Sequence, residues 1–327
     1  MLKELRFVMG AVAKKDLLPA MTHFRIENGH VRSYNGVLAI SSPIALDIAC
    51  CPRADAMVKA IASCQEATMI SVTPNGRLSI KSGKFRAIVD TIQGQTPHVE
   101  PAGDHIQFDG EALLGAFKVL EPFIGTDASR PFTNGVLLDG GSAYATNNTC
   151  LVQYWIGPGA FPVRMNVPRA AIKEVLRVDE APTHGQVTPD SITFHYTDGR
   201  WIRSQLLNTE WPMDLISGLF EPRDEQGQPV QVNPQPLPED FFTGLAQVKA
   251  QVDGASRVYI LDGALRTHTD PDEGSCYELD LGVEGLYNLH MLSLLEGVVS
   301  TIDLSRYPAP ALFFGDKLRG AIIGMRM

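Results

Sequence analysis

Val167-Pro168-Arg169-Ala170-Ala171-Ile172-Lys173-Glu174-Val175-Leu176-Arg177-Val178 carries one complete amphipathic pattern. Arg169, Lys173 and Arg177 stand at i, i+4 and i+8 and share a face. Ile172, Val175 and Leu176 fall on the opposite face. Pro168 stands immediately ahead, where its fixed φ suits a helix start and its missing N–H removes no helical hydrogen bond. The spacing predicts a helix over 169–178, apolar towards a core and cationic towards solvent or an anionic partner.

This helix start recurs along the chain. Pro52-Arg53-Ala54 lies 116 residues before Pro168-Arg169-Ala170 and also precedes a helix-like stretch, over 54–64. Gly83-Lys84-Phe85-Arg86, Gly199-Arg200-Trp201-Ile202-Arg203 and Gly315-Asp316-Lys317-Leu318-Arg319 open strand-like runs at the same interval of 116. Two anchors sharing one offset mark tandem copies of one unit. The predicted domains are 1–103, 104–217 and 218–327. In the first, Leu5, Val8, Met9 and Val12 give helical spacing over 2–13. Asn28-Gly29 and Asn35-Gly36 mark turns, and strands are predicted over 68–73, 77–81 and 85–92. The second repeats the order, with a helix over 110–120, strands over 135–139, 142–146 and 151–156, and the helix over 169–178. The third has helices over 239–252 and 288–295 and strands over 300–304, 311–314 and 320–324. Two helices among many short strands define an α+β class, each unit packing its helices on antiparallel sheet. The segments 93–103 and 221–238, rich in Pro, Gln and Gly, read as linkers.

Composition narrows the function. The chain has 327 residues, 44% of them apolar and 20% charged, as in an ordinary globular protein. No apolar run approaches the ~20 residues of a membrane span, and Met1-Leu2-Lys3-Glu4-Leu5-Arg6 lacks a signal-peptide layout. A cytoplasmic protein without membrane attachment is expected. Cys50, Cys51, Cys64, Cys150 and Cys276 are odd in number and form no C-x-x-C pair, which argues for reduced thiols rather than disulfides or zinc. A net charge of −9 disfavours a surface coated with nucleic acid but allows a local basic stripe. No phosphate-binding loop, H-E-x-x-H or G-x-S-x-G is present. Asp270-Pro271-Asp272-Glu273-Gly274 starts like a calcium loop, but Leu281 stands where a bidentate Glu is needed. Neither a cofactor nor catalysis is expected.

Cations recur on the predicted helices of this acidic chain. Lys3, Arg6 and Lys14, with Lys15 just beyond, belong to the first helix, Arg53 and Lys59 to the second, and Lys118 and Lys249 to later ones. The last helix offers only His290. Each face alone reads as ordinary solvated helix surface. Turned inward in a ring, the same side chains would meet phosphate oxygens without reading bases.

With repeats and stripes in place, the chain resembles the bacterial beta sliding clamp, the processivity subunit of the replicative DNA polymerase. The resemblance runs over almost the whole length. Ser82-Gly83-Lys84-Phe85-Arg86-Ala87-Ile88-Val89-Asp90-Thr91-Ile92 matches in the first unit, and Asn134-Gly135-Val136-Leu137 resembles the strand entry of the second. Tyr144-Ala145-Thr146-Asn147-Asn148-Thr149-Cys150-Leu151 is similar to the family's A-T-D-G-H-R-L segment, and Val167-Pro168-Arg169 to its V-P-R helix start. Ser204-Gln205-Leu206 with Trp211-Pro212 resembles its S-K-L…F-P-D-Y stretch, and Ile323-Gly324-Met325-Arg326-Met327 its M-P-M-R-L terminus. The resemblance implies three-domain crescents closing head to tail as a homodimeric ring around double-stranded DNA, without sequence specificity, with a DNA polymerase and a clamp loader as partners. It implies a partner-peptide cleft at Thr146, Leu151, Pro212, Ile323, Met325 and Met327, and places Lys15 and Arg130 on loops beside DNA. Lys84 and Arg86 facing Asp270, Asp272 and Glu273 is the expected dimer seam. The sequence departs from the family at Asn148-Thr149-Cys150, at Ile323-Gly324, and in lacking the strand that precedes the first helix; a compact bacteriophage clamp would fit these departures.

Two other readings remain open at this level. One is a β-rich phage structural or assembly protein that encircles no DNA. The other is an enzyme, which needs a polar pocket holding perturbed carboxylates or histidines.

Overall fold

The computed structural model describes residues 1–15, 18–93, 97–251 and 256–327. The chain divides into two compact units, one formed by 1–115 and 160–208, the other by 116–159 and 209–327.

In the first unit, seven antiparallel strands follow the order Arg25–Glu27, His30–Tyr34, Leu38–Pro43, Trp201–Gln205, Ser191–His195, His184–Thr188 and Asp104–Ile106. The first hairpin turns at Asn28 and Gly29, with φ of 49° and 68°, the pair of positive values that a two-residue turn needs to match strand twist. Strands distant in sequence meet where Leu38–Pro43 pairs with Trp201–Gln205, in a register running from Trp201↔Ser41 to Ser204↔Leu38. A separate three-stranded sheet holds Thr68–Val72, Leu78–Ser82 and Phe85–Val89, with Phe85–Val89 at one edge. Helices Leu2–Val8, Ala54–Ala62 and Arg169–Val178 bury their apolar faces through Leu5 and Val8, Met57 and Ile61, and Ile172 and Val175. Arg200, only 5% exposed, lies over the rings of Phe7 and Tyr196 and pairs with Asp198 and Glu180. That arrangement holds the amino-terminal helix against the turn at Asp198.

In the second unit, seven strands of the larger sheet follow the order Gly135–Gly140, Ser142–Thr146, Cys150–Trp155, Leu318–Ile322, Ala311–Phe314, Thr301–Asp303 and Gln235–Pro236. Here too strands distant in sequence are joined, Cys150–Trp155 with Leu318–Ile322, from Cys150↔Ile322 to Tyr154↔Leu318. A four-stranded sheet runs Cys276–Glu278, Ala264–Arg266, Arg257–Leu261 and Gly285–Asn288. Its helices are Met213–Phe220, Phe241–Lys249 and Leu289–Ser293, the last capped by the Asn288 side chain accepting from Met291 N at 3.0 Å.

Both units are helices packed on antiparallel sheet, the α+β class that the sequence predicts. Helices Gly110–Leu120 and Arg169–Val178 and strands Ser142–Thr146 and Ala311–Phe314 have the predicted bounds. The first helix is shorter than predicted: Leu2–Val8 gives way to a 3-10 turn over Met9–Ala11, at the helix-disfavouring Gly10. The helix predicted over 239–252 is Phe241–Lys249, and Val252 lies outside the described residues. Helix Met213–Phe220 is absent from the sequence prediction.

Candidate partner-binding cleft and nucleic-acid face

The second unit contains an apolar cleft of about 500 Å³. One wall is helix Met213–Phe220. Its Ile216 is buried with Leu137, Leu151 and Trp211, and its Leu215 and Leu219 line the opening. Phe132 meets the Trp211 ring edge-on at 5.5 Å and forms another wall. The floor is the strand junction, through Cys150, Leu151, Ala321 and Ile323. Leu215 is 70% exposed and Ile323 42% exposed, so this apolar surface faces water. Polar groups sit at the rim. The hairpin loop after Ser142–Thr146 is fixed by the Asn147 side chain accepting from Thr149 N and Cys150 N at 3.1 and 2.9 Å. Asn148 there takes φ of 70°, a left-handed conformation that Asn tolerates better than most residues; the resembled family has Gly at this place. Burial pushes the Cys150 thiol well above its ordinary value, so it stays a neutral, buried SH beneath the cleft floor.

Of the six residues expected to form a cleft, Thr146, Leu151, Pro212 and Ile323 line it, whereas Met325 and Met327 do not. Met325 is tied by its backbone, N to Leu286 O at 2.7 Å and O to the Tyr307 hydroxyl at 2.6 Å. Arg130, expected beside DNA, is among the residues that line the cleft. An Asp127 turn sets it there: Asp127 accepts from Ser129 Oγ and N at 2.7 and 2.8 Å, and Arg130 N donates to Asp127 O. Those Ser129 hydrogen bonds hold the Asp127 carboxyl below its ordinary range. Leu215 and Leu219, absent from the expected set, belong to the helix that the sequence prediction lacks.

The other expected DNA-facing residues are on helix surfaces or adjoining loops. Lys3, Arg6, Lys14, Lys15, Arg53, Lys59, Lys118, Lys173, Arg177 and Lys249 are exposed, and Arg169 is half-buried. Several are engaged locally. Arg177 bonds Glu174 at 2.7 Å and donates to Phe7 O, joining helix Arg169–Val178 to helix Leu2–Val8. Lys3 lies 3.7 Å from Glu180, and Arg53 and Lys59 share Asp55. Surface pairs of this kind contribute little and leave the cations accessible.

For the expected seam, Arg86 is exposed on edge strand Phe85–Val89 and Lys84 is on the turn before it. Asp270, Asp272 and Glu273 lie in the loop just ahead of edge strand Cys276–Glu278. Among the described residues, no group of three His, Cys, Asp or Glu could hold a metal ion, and no helix is long and apolar enough to cross a membrane.

Comparison with solved structures aligns all of this chain with 97% of the sliding clamp (DNA polymerase III subunit beta) of Bartonella birtlesii, solved bound to griselimycin, at 18% identity and a TM-score of 0.82. This is the sliding-clamp fold. The clamp of Bacillus subtilis gives the same coverage at 15% identity and 0.82, and the DNA polymerase III subunit beta of Pseudomonas aeruginosa does so at 17% and 0.80. No family model and no curated protein matches the sequence. The clamp fold is therefore carried by a sequence that shares fewer than one residue in five with these structures.

Proposed function

We propose that this chain is a DNA sliding clamp, a processivity factor that tethers replication proteins and has no catalytic activity of its own. Its domains are 1–103, 104–217 and 218–327, and two copies close head to tail into a cytoplasmic ring around duplex DNA. The observation that carries this reading is a repeated junction with one place left open. Leu38–Pro43 pairs with Trp201–Gln205, and Cys150–Trp155 pairs with Leu318–Ile322. In repeat terms, the remaining strands of those two kinds are Cys276–Glu278 and Phe85–Val89. Each has a single hydrogen-bonded neighbour among the described residues. Open edges are a liability unless paired, and a second copy supplies the missing strand to each. Carrying the registers of the existing junctions to this third one sets Cys276 across from Phe85 or Ala87. Lys84 and Arg86 then face the acidic stretch around Asp270, Asp272 and Glu273.

In the closed ring, the cationic helix faces of Lys3, Arg6, Lys14, Lys15, Arg53, Lys59, Lys118, Arg169, Lys173, Arg177 and Lys249 turn towards DNA. Retention is topological, so weak phosphate contacts suffice and sliding is preserved. Acidic surface elsewhere repels DNA from the outside. The apolar cleft holds peptide segments of the polymerase and the clamp loader, and Arg130 belongs to that cleft. Tethering raises the polymerase's effective concentration at its template.

Griselimycin, bound in the Bartonella clamp structure, is a probe for ligand binding by this chain. Primer extension on primed circular DNA, with a clamp loader and a polymerase, tests the whole reading: long products that depend on the chain support it, and unchanged product length refutes it and leaves the structural-protein alternative. Charge reversal Arg86→Glu is expected to shift the sedimentation coefficient from dimer towards monomer; an unaltered dimer refutes the seam.

A further inference from the structure

A second concavity, of about 380 Å³, lies on the same sheet face as the cleft. Leu151 opposes Ala321 in the cleft floor, Gln153 opposes Arg319 two residues on, and Trp155 N donates to Lys317 O two residues beyond that. Side chains two apart along a strand share a face, so a continuous track runs from the cleft to Trp155. Arg319 divides the two hollows. Its guanidinium lies 4.3 Å over the ring of Phe220, the last residue of the cleft helix, and its Nε donates to Gln153 Oε1 at 2.6 Å. Beyond it, Trp155, Phe314 and Leu318 form an apolar wall. Trp155 is 49% exposed, whereas Trp201 and Trp211 are 6% and 5% exposed. Its ring is laid on the backbone of Gly141, where a Cβ would come within 2.6 Å of it. Lys317 and Arg319 have no carboxylate within ion-pair distance among the described residues, although the chain carries a net charge of −9. Asp316 is the one acidic side chain on this wall.

We propose that the hollow at Trp155 is a second docking point for the polypeptide whose apolar anchor fills the cleft, taking an acidic extension of that same partner. This rests on the cleft reading. Carboxylates of the extension pair with Lys317 and Arg319, and an apolar or aromatic residue among them packs on Trp155. From Ile323 to Lys317 the strand covers about 20 Å at ~3.3 Å per residue, so the acidic group stands roughly five or six residues from the anchor. Two linked contacts on one surface gain affinity through effective concentration, and exposed charge pairs add selection against partners lacking the extension.

The probe is a phage-displayed library of random peptides long enough to span both hollows, selected on the full chain. Selected peptides are expected to carry an apolar cluster with acidic residues at that separation. The double variant Lys317→Glu/Arg319→Glu should bind a selected peptide about tenfold more weakly, while a truncated peptide holding only the apolar cluster binds variant and parent alike. Lys317→Glu alone, on an exposed turn, should give a smaller loss in the same direction and guards against misfolding of the double variant. Trp155 emission should shift with the full peptide and stay constant with the truncated one. Selected peptides without acidic residues, or equal loss for both peptide lengths, overturn the second docking point while leaving the cleft intact. Binding of the truncated peptide that ignores Leu215→Gln removes the cleft reading, and this proposal with it.

Discussion

Leu215→Gln isolates what the cleft contributes to partner binding. Leu215 is 70% exposed on helix Met213–Phe220, so the folded protein gains little from its side chain and the bound state gains most of it. Complete burial of a Leu side chain is worth about 1.5–3 kcal/mol. With most of that area still open, a docked apolar anchor recovers roughly 1–2 kcal/mol from this residue. At about 1.4 kcal/mol per tenfold, the variant should bind the truncated anchor peptide about 5–30-fold more weakly. Gln keeps side-chain length and has nearly the helix propensity of Leu, so stability should change by no more than about 0.5 kcal/mol. Fluorescence anisotropy with the labelled peptide reads the first quantity, and thermal unfolding the second. A loss of less than about twofold, or a loss accompanied by a fall in stability of more than about 2 kcal/mol, would refute the assignment of Leu215 to an open binding wall.

Acid should weaken the first unit through its stacked histidines. His184 and His195 lie face to face with centroids 4.5 Å apart, and His105 lies 5.6 Å from His184. Burial, then the nearby His184 and His105, pushes His195 down to about 4. The fold therefore favours the neutral ring: this stability is present above pH ~6.5 and drains away as pH falls through 6.5 towards 4. Discounted for partial exposure, the loss is about 1–2 kcal/mol, and His195→Gln should flatten it in urea unfolding at pH 5 and 7; an identical pH dependence in the variant contradicts the reasoning. Gly320→Ala should destabilise the sheet beneath the cleft. A Cβ there would stand 2.1 Å from the Phe313 ring and 2.6 Å from Leu151 O, an overpacking cost of about 1–3 kcal/mol. Calorimetry should show a lowered melting temperature, and an unchanged one would mean that the strand junction yields more readily than this packing implies.

The elements legible in the sequence are those whose period is unambiguous. Arg169–Val178 separates its apolar and cationic residues cleanly and has its predicted bounds. Met213–Phe220 sets Asp214, Ser217 and Gly218 opposite its apolar residues, but it has only 8 residues and directly follows Pro212, too short a stretch for its period to be read. Losing that helix also hides Leu215 and Leu219, the exposed side of the cleft. The floor residues Thr146, Leu151 and Ile323 are legible through the family resemblance rather than through periodicity: Thr146 and Leu151 lie at or next to strand ends, and Ile323 is one residue past Leu318–Ile322. Met325 and Met327 follow the strand, where alternation no longer dictates direction, and backbone hydrogen bonds to Leu286 and Tyr307 carry Met325 elsewhere. The resemblance sets Arg130 on a loop beside DNA; sequence order alone does not reveal that the Asp127 turn also brings it to the cleft. Ion pairs within one helix, such as Glu174 with Arg177, follow from spacing, whereas Lys3 with Glu180 depends on the fold.

Encirclement is tested most directly by locking the ring on a circle. Ala87→Cys, with Phe85→Cys for the other register, places a thiol on edge strand Phe85–Val89 across from the native Cys276 of a second copy, and cysteines directly across an antiparallel pair can bridge. Oxidation in the presence of nicked circular DNA, followed by a high-salt wash, reads retention on DNA. Crosslinked protein should stay on the circle and fall off once the DNA is cut open. Crosslinked dimers that leave circular and linear DNA equally would contradict a protein threaded by the double helix.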